Sequence, residues 1–156
     1  MTRFLSRYAL VLAVAAPGCG GGGSATPVPT APSRVLSVAG TYPTRATLIA
    51  DRNTCGSVTV QDNPTTVSHT AAGTDLSLSH AGSTYRGTID TTGRFTSPAA
   101  NFAFPDADYT IGPTGQFSTT GFIATVELTK RAGGTTCTYA VAWVGTKTGS
   151  PNTIPN

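Results

Sequence analysis

The sequence predicts an all-β domain, an antiparallel up-and-down barrel of about eight strands, with a β-sandwich as the alternative. Three observations carry that expectation. Apolar and polar side chains alternate at period two in short runs, and no stretch shows helical periodicity. Turn residues punctuate those runs at intervals of roughly eight to twelve positions. Cys55 follows the first strand and Cys137 begins the last, so a bond between them would make these strands neighbours, as closure of a barrel requires. An immunoglobulin-like sandwich carries its core Trp between two cysteines, whereas Trp143 follows both.

The elements read in order as follows. GTYPTRATLIA, from Gly40, is the first strand, and a weaker one lies around VTV or TTVSHT. In TDLSLSHAGSTYRGTID, Leu76, Leu78 and His80 alternate with Asp75, Ser77 and Ser79; Ala81-Gly82 turns the chain; Tyr85, Gly87 and Ile89 then alternate with Arg86 and Thr88. That is a hairpin. Asp90-Thr91-Thr92-Gly93 turns the chain again into RFTSPAANFAF, and a further strand near DYTIG is expected to end at Gly112-Pro113-Thr114-Gly115. The last two strands are the clearest. TGFIATVELTK puts Phe122, Ala124, Val126 and Leu128 on one face, RAGG reverses the chain, and TCTYAVAWVGTK puts Cys137, Tyr139, Val141 and Trp143 on one face. SPNTIPN reads as a frayed tail, because its prolines cannot join a ladder centrally.

Ahead of this domain the chain has a different character. Arg3 and Arg7 precede an apolar stretch from Tyr8 to Ala16, then Pro17-Gly18-Cys19. A basic start, a short apolar core and small residues before a break make a secretory signal peptide, too short to span a bilayer at ~20 residues. Ala16-Pro17-Gly18-Cys19 resembles the lipobox of bacterial lipoproteins, in which the cysteine becomes the lipidated first residue. That resemblance implies a signal peptide over residues 1–18 and membrane attachment through acyl chains on Cys19. Gly20 after it, rather than an aspartate, implies sorting to the outer membrane. Glycines 20–23 and Pro27, Pro29 and Pro32 make residues 19–37 a lipidated cysteine plus tether, whose r.m.s. reach is about 23 Å. The domain then runs over 38–148, with 149–156 as the disordered tail.

Composition narrows the partners. Of the 10 Lys and Arg, Arg3 and Arg7 lie in the leader, so eight face 7 Asp and Glu, a net of +1. No basic run exists, which argues against nucleic acid. Threonine, serine and glycine supply the polarity, a composition that suits strands better than helices. With Cys19 taken by lipid, Cys55 and Cys137 form an even pair in an oxidising compartment, the arithmetic of a disulfide. A metal site fits these two distant cysteines poorly, since no CxxC partner accompanies them.

Gly40-Thr41-Tyr42 at the start of the first strand, a glycine-punctuated meander and a cysteine in the last strand resemble small calycin-type barrels, the group that includes lipocalins and avidin-like proteins, with Tyr42 where those families carry Trp. The resemblance supports the fold and implies little about function.

No catalytic constellation stands out, so the reading is not an enzyme, with no cofactor and no metal. His69 and His80 lack a triad context. Asp106 and Asp108 lack the remaining spacing of a calcium loop, and Glu127 is the sole glutamate, which excludes a Glu–Glu glycosidase pair. What remains is the aromatic set Tyr85, Phe95, Phe122, Tyr139 and Trp143, which either lines a small ligand pocket or fills the barrel. The function expected is therefore a membrane-anchored extracytoplasmic lipoprotein that binds a small apolar ligand or a glycan. The alternative is a structural or protein-interaction lipoprotein with a filled barrel core and no ligand, its partner then an envelope protein.

Overall fold

The computed structural model describes residues 34–155. The leader, Cys19 and the first part of the tether lie outside the described residues. Nine strands follow in chain order: β1 (Gly40–Ile49), β2 (Asn63–His69), β3 (Asp75–His80), β4 (Ser83–Ile89), β5 (Arg94–Thr96), β6 (Ala100–Phe104), β7 (Ala107–Ser118), β8 (Gly121–Ala132) and β9 (Thr135–Thr146). All pairings are antiparallel. The sheet runs β5-β4-β3-β2-β1-β9-β8-β7-β6, and a further β5–β7 pairing closes it into an eight-strand barrel with β6 as the extra strand. First and last strands are neighbours, from Thr44↔Gly145 to Ile49↔Ala140. Tight turns set two hairpins: Ala81-Gly82 and Gly133-Gly134 all have positive φ, the backbone that two-residue turns between right-twisted strands require.

RFTSPAANFAF is not one regular strand. β5 pairs Thr96↔Thr114, whereas β6 pairs Ala100↔Ile111, so one extra residue is inserted opposite β7. Ser97, Pro98 and Ala99 form a β-bulge. The same bulge explains a second correction. The strand expected to stop at Gly112-Pro113-Thr114-Gly115 continues to Ser118, because Pro113, which has no N–H, stands opposite the bulge where the ladder is already interrupted. Gly87 serves the crossing: a Cβ there would meet Ser97 Cα at 2.8 Å. The second strand falls on TTVSHT, and VTV lies in the loop before it.

One end of the barrel is closed. Leu36 and Val38 are buried there, and Ser37 and Thr153 exchange backbone hydrogen bonds of 2.9 Å in both directions. The domain therefore starts by Leu36 rather than Val38. The tail is not frayed. Asn152 is 4% exposed and donates from Nδ2 to Ser118 O at 2.8 Å. Tyr42, wholly buried, places its hydroxyl 2.6 Å from Val38 O and 2.7 Å from Asn152 Oδ1. Burial pushes its pKa up to about 12. Lys147 Nζ sits 4.8 Å over the same ring.

Candidate functional site

The barrel interior sorts into three levels, and the site is the uppermost. At the closed end Phe117 and Phe122 pack against Tyr42 and Phe95 packs on Phe117, with centroids 5.3 Å apart for Tyr42–Phe122 and 5.1 Å for Phe95–Phe117. Phe122 lies across Gly145, its direct partner on β9, where any Cβ would overlap the ring. This level is filled.

The middle level is a polar line bounded by aromatics. Thr44 Oγ1 donates to Tyr42 O at 2.8 Å and lies 2.8 Å from Thr65 Oγ1, which lies 2.9 Å from His80 Nδ1. All three side chains are buried. The His80 ring stacks on Trp143 at 4.0 Å, and Tyr85 touches Trp143 at 6.0 Å and Phe102 at 5.4 Å. Burial pushes the His80 pKa down and the Tyr85 pKa up, so both rings are neutral near pH 7.

The upper level is open. β7, β8 and β9 have 12 residues each and outrun the other strands, raising a wall at the barrel mouth. On that wall Tyr109, Lys130, Ala132, Cys137 and Tyr139 occupy the alternate positions that lower down carry the core. The loop after β1, which begins with a 3₁₀ turn over Ala50–Arg52, folds against the wall. A disulfide joins Cys55 to Cys137, with Cα atoms 5.1 Å apart. Beside it Thr54 N donates to Thr138 O and Thr138 N donates to Thr54 Oγ1, both at 2.8 Å. Between loop and wall lies a cleft of about 330 Å³, bordered by the disulfide, Ser57, Val58, Thr59, Tyr109, Lys130 and Tyr139. That volume is at the small end of the ligand-site range, ~300–1,000 Å³.

Its lining combines two tyrosines, the hydroxyls of Ser57 and Thr59 and one cation, Lys130. Lys130 Nζ stands 5.6 Å from the Tyr109 ring centre and 3.5 Å from Asp106 Oδ2. Phe104 meets Tyr109 edge to face at 5.5 Å. The Tyr109 phenol, and less strongly Asp106, raise the Lys130 pKa, so the ammonium is fully charged. Burial, then the neighbouring Tyr109, raises that of Tyr139.

The five aromatics singled out from the sequence are thereby separated. Phe95 and Phe122 are floor, Tyr85 and Trp143 are middle core, and Tyr139 alone borders the cleft. Sequence reasoning missed Tyr109, Lys130 and the loop at 57–59. The signal available was Lys130 continuing the inward parity of Phe122, Ala124, Val126 and Leu128, a charge where the pattern demands an apolar residue. His69 is a turn fastener, donating from Nε2 to Gly73 O at 2.9 Å. Asp106 pairs with Lys130 as described. No protein-family model, no curated protein and no solved structure matches the chain.

Proposed function

We propose that the protein is an extracytoplasmic lipoprotein, held to the membrane through acyl chains on Cys19, whose barrel is a binding module taking a glycan at its mouth. The observation that carries this reading is the cleft between Tyr139, Tyr109 and the disulfide-tied loop. Tyrosine faces stack on the apolar face of a sugar ring, while Lys130 and the Ser57, Thr59 and Thr135 hydroxyls meet its polar edge. A small apolar ligand in the barrel interior has less support, because Phe95, Phe117, Phe122 and Trp143 occupy that space.

The described chain enters the domain at its closed end, opposite the mouth. Fourteen residues lie between Cys19 and Arg34; a flexible chain of that length reaches roughly 5–6 Å × √14, about 21 Å.

Two experiments test the two halves. Cys19→Ser should abolish incorporation of an alkyne-tagged fatty acid in cells, and unchanged labelling sinks the anchor. The soluble chain from residue 20, on a glycan array, should bind a restricted set of sugars, with Tyr139→Ala weakening binding at least tenfold. Silence across the array, with a bare mass in native mass spectrometry, would favour the filled structural barrel.

A further inference from the structure

The bulge at Ser97–Ala99 has a consequence for the barrel wall. β4 pairs with β5 only at Thr88↔Thr96 and Ile89↔Phe95. Above the bulge, β6 follows β7 and β4 follows β3, and no ladder joins β4 to β6. The wall is split there. The Ser97 hydroxyl spans the gap at its base, donating to Arg86 O at 2.8 Å, and the Tyr85 and Phe102 rings meet beneath it.

Which backbone groups face the gap follows from antiparallel alternation, in which consecutive residues bond to opposite sides. Phe117 N donates to Gly93 O and Ser97 N to Pro113 O, so the odd-numbered residues of β7 face β5 and β6. Their partners Ala100, Phe102 and Phe104 are thus spent on β7. Asn101 and Ala103 turn both N–H and C=O outward. On β4, Ile89 N donates to Thr74 O on the β3 side, so Thr84 and Arg86 face the gap. Among the described residues, the outward groups of Asn101, Ala103 and Thr84 and the N–H of Arg86 have no strand partner.

We propose that this edge, chiefly β6, is a docking site for an extended polypeptide, taken up by strand addition. Backbone donors and acceptors repeating every second residue are the complement of another extended backbone and of little else. Within Ala100–Phe104 the edge carries no lysine and no proline to block pairing. Pro98 and Pro105 bracket it, which limits the paired stretch to about five residues. One face of a guest would lie on the Phe102 and Phe104 rings. Its other face would meet exposed Arg86, which has no carboxylate partner among the described residues, so an acidic side chain on that face is selected. The inference is independent of the anchor and of the glycan cleft.

A phage-displayed library of random eight-residue peptides, panned against residues 20–156 with the disulfide formed, tests it. Enriched peptides should alternate β-branched residues with polar ones and carry an acid. Resynthesised, they should slow amide hydrogen exchange at Asn101 and Ala103. Ala103→Pro removes one outward N–H without touching the β7 ladder and should weaken binding at least tenfold. If that variant does not fold, exchange on the unsubstituted chain decides alone. The proposal is overturned if nothing enriches, if the peptides bind Ala103→Pro within twofold, or if protection appears elsewhere. Sedimentation of the free chain as a dimer that Ala103→Pro dissolves would also overturn it, assigning the edge to a second copy.

Discussion

Thr65 and His80 are joined side chain to side chain inside the barrel, Oγ1 to Nδ1 at 2.9 Å, and counting protons along the line fixes the state of the imidazole. Thr44 spends its one hydroxyl hydrogen on Tyr42 O. The Thr44–Thr65 bond must then use the hydrogen of Thr65, and the Thr65–His80 bond must use one on Nδ1. His80 is therefore the Nδ1–H tautomer, with its basic nitrogen at Nε2.

Acidification should weaken this fold. Burial depresses the folded-state pKa of His80 below its ordinary value of 6.5, so between the two values the unfolded chain binds more protons than the folded one. Stability is fully present above pH 6.5 and is lost as pH falls through the folded pKa, by at most about 1.4 kcal/mol per pH unit for one proton. Asn reproduces the Nδ1–H donor without titrating. Urea midpoints for the wild type and His80→Asn between pH 7.5 and 4.5 measure the difference. A parallel pair of curves contradicts this account of His80.

Phe122 and Gly145 are a matched pair, a ring laid where a side chain is missing. Gly145→Ala should cost about 1–3 kcal/mol by overpacking, and Phe122→Ala about 3–5 kcal/mol by leaving a cavity. The sharper expectation is their coupling. In Phe122→Leu the added methyl of Gly145→Ala has more room, so the double variant should lose less than the sum of the singles. Strict additivity in a thermal-denaturation cycle refutes the contact.

The disulfide links residues 82 apart in sequence, although its two sides are already apposed by the Thr54–Thr138 bonds. Chain entropy assigns it about 4 kcal/mol, mostly through the unfolded state. Cys55→Ser with Cys137→Ser should lower Tm by on the order of 10–20 °C and leave the loop over the mouth open to limited proteolysis near Gly56–Thr59. An unchanged Tm, or a loop that still resists protease, contradicts that.

Much of the fold was legible because the clearest strands keep strict parity. Phe122 to Leu128 and Cys137 to Trp143 read inward in the sequence and are inward in the structure. Parity fails where the chain changes step. Phe95 and Phe102 both reach the interior although one position is odd and the other even, which a single regular strand forbids; the bulge between them restores the face. No local pattern marks where a bulge is compensated, because the compensation, Pro113, lies on the next strand. The cleft was hidden for a related reason. Tyr109, Lys130 and Tyr139 converge only through the registers of β7, β8 and β9, and Lys130 looks like any surface lysine until its parity is counted. The tail was misread because SPNTIPN has the composition of a frayed end, while what holds it is one amide, Asn152, satisfied at both ends by distant strands.

That amide makes the last prediction. Asn152 Oδ1 meets the Tyr42 hydroxyl and Nδ2 donates to Ser118 O, so one side chain ties the tail to β1 and β7 at the closed end. Asn152→Ala should cost about 1–3 kcal/mol, the range for stranding buried polar partners, and truncation after Ser150 at least as much. A free tail predicts no change from either. The same bond bears on alkaline stability. The Tyr42 pKa is raised from 10.0 to about 12, so its contribution is complete below pH 10 and is lost as pH rises towards 12. Burial is the main cause and Asn152→Ala leaves the ring inside the barrel, so that variant should keep an alkaline transition on a less stable protein. Tyrosinate absorbance recorded with the circular dichroism of the sheet reports both. Ionisation of Tyr42 below pH 10 in the folded wild type would mean that the closed end admits water and that the tail does not seal it.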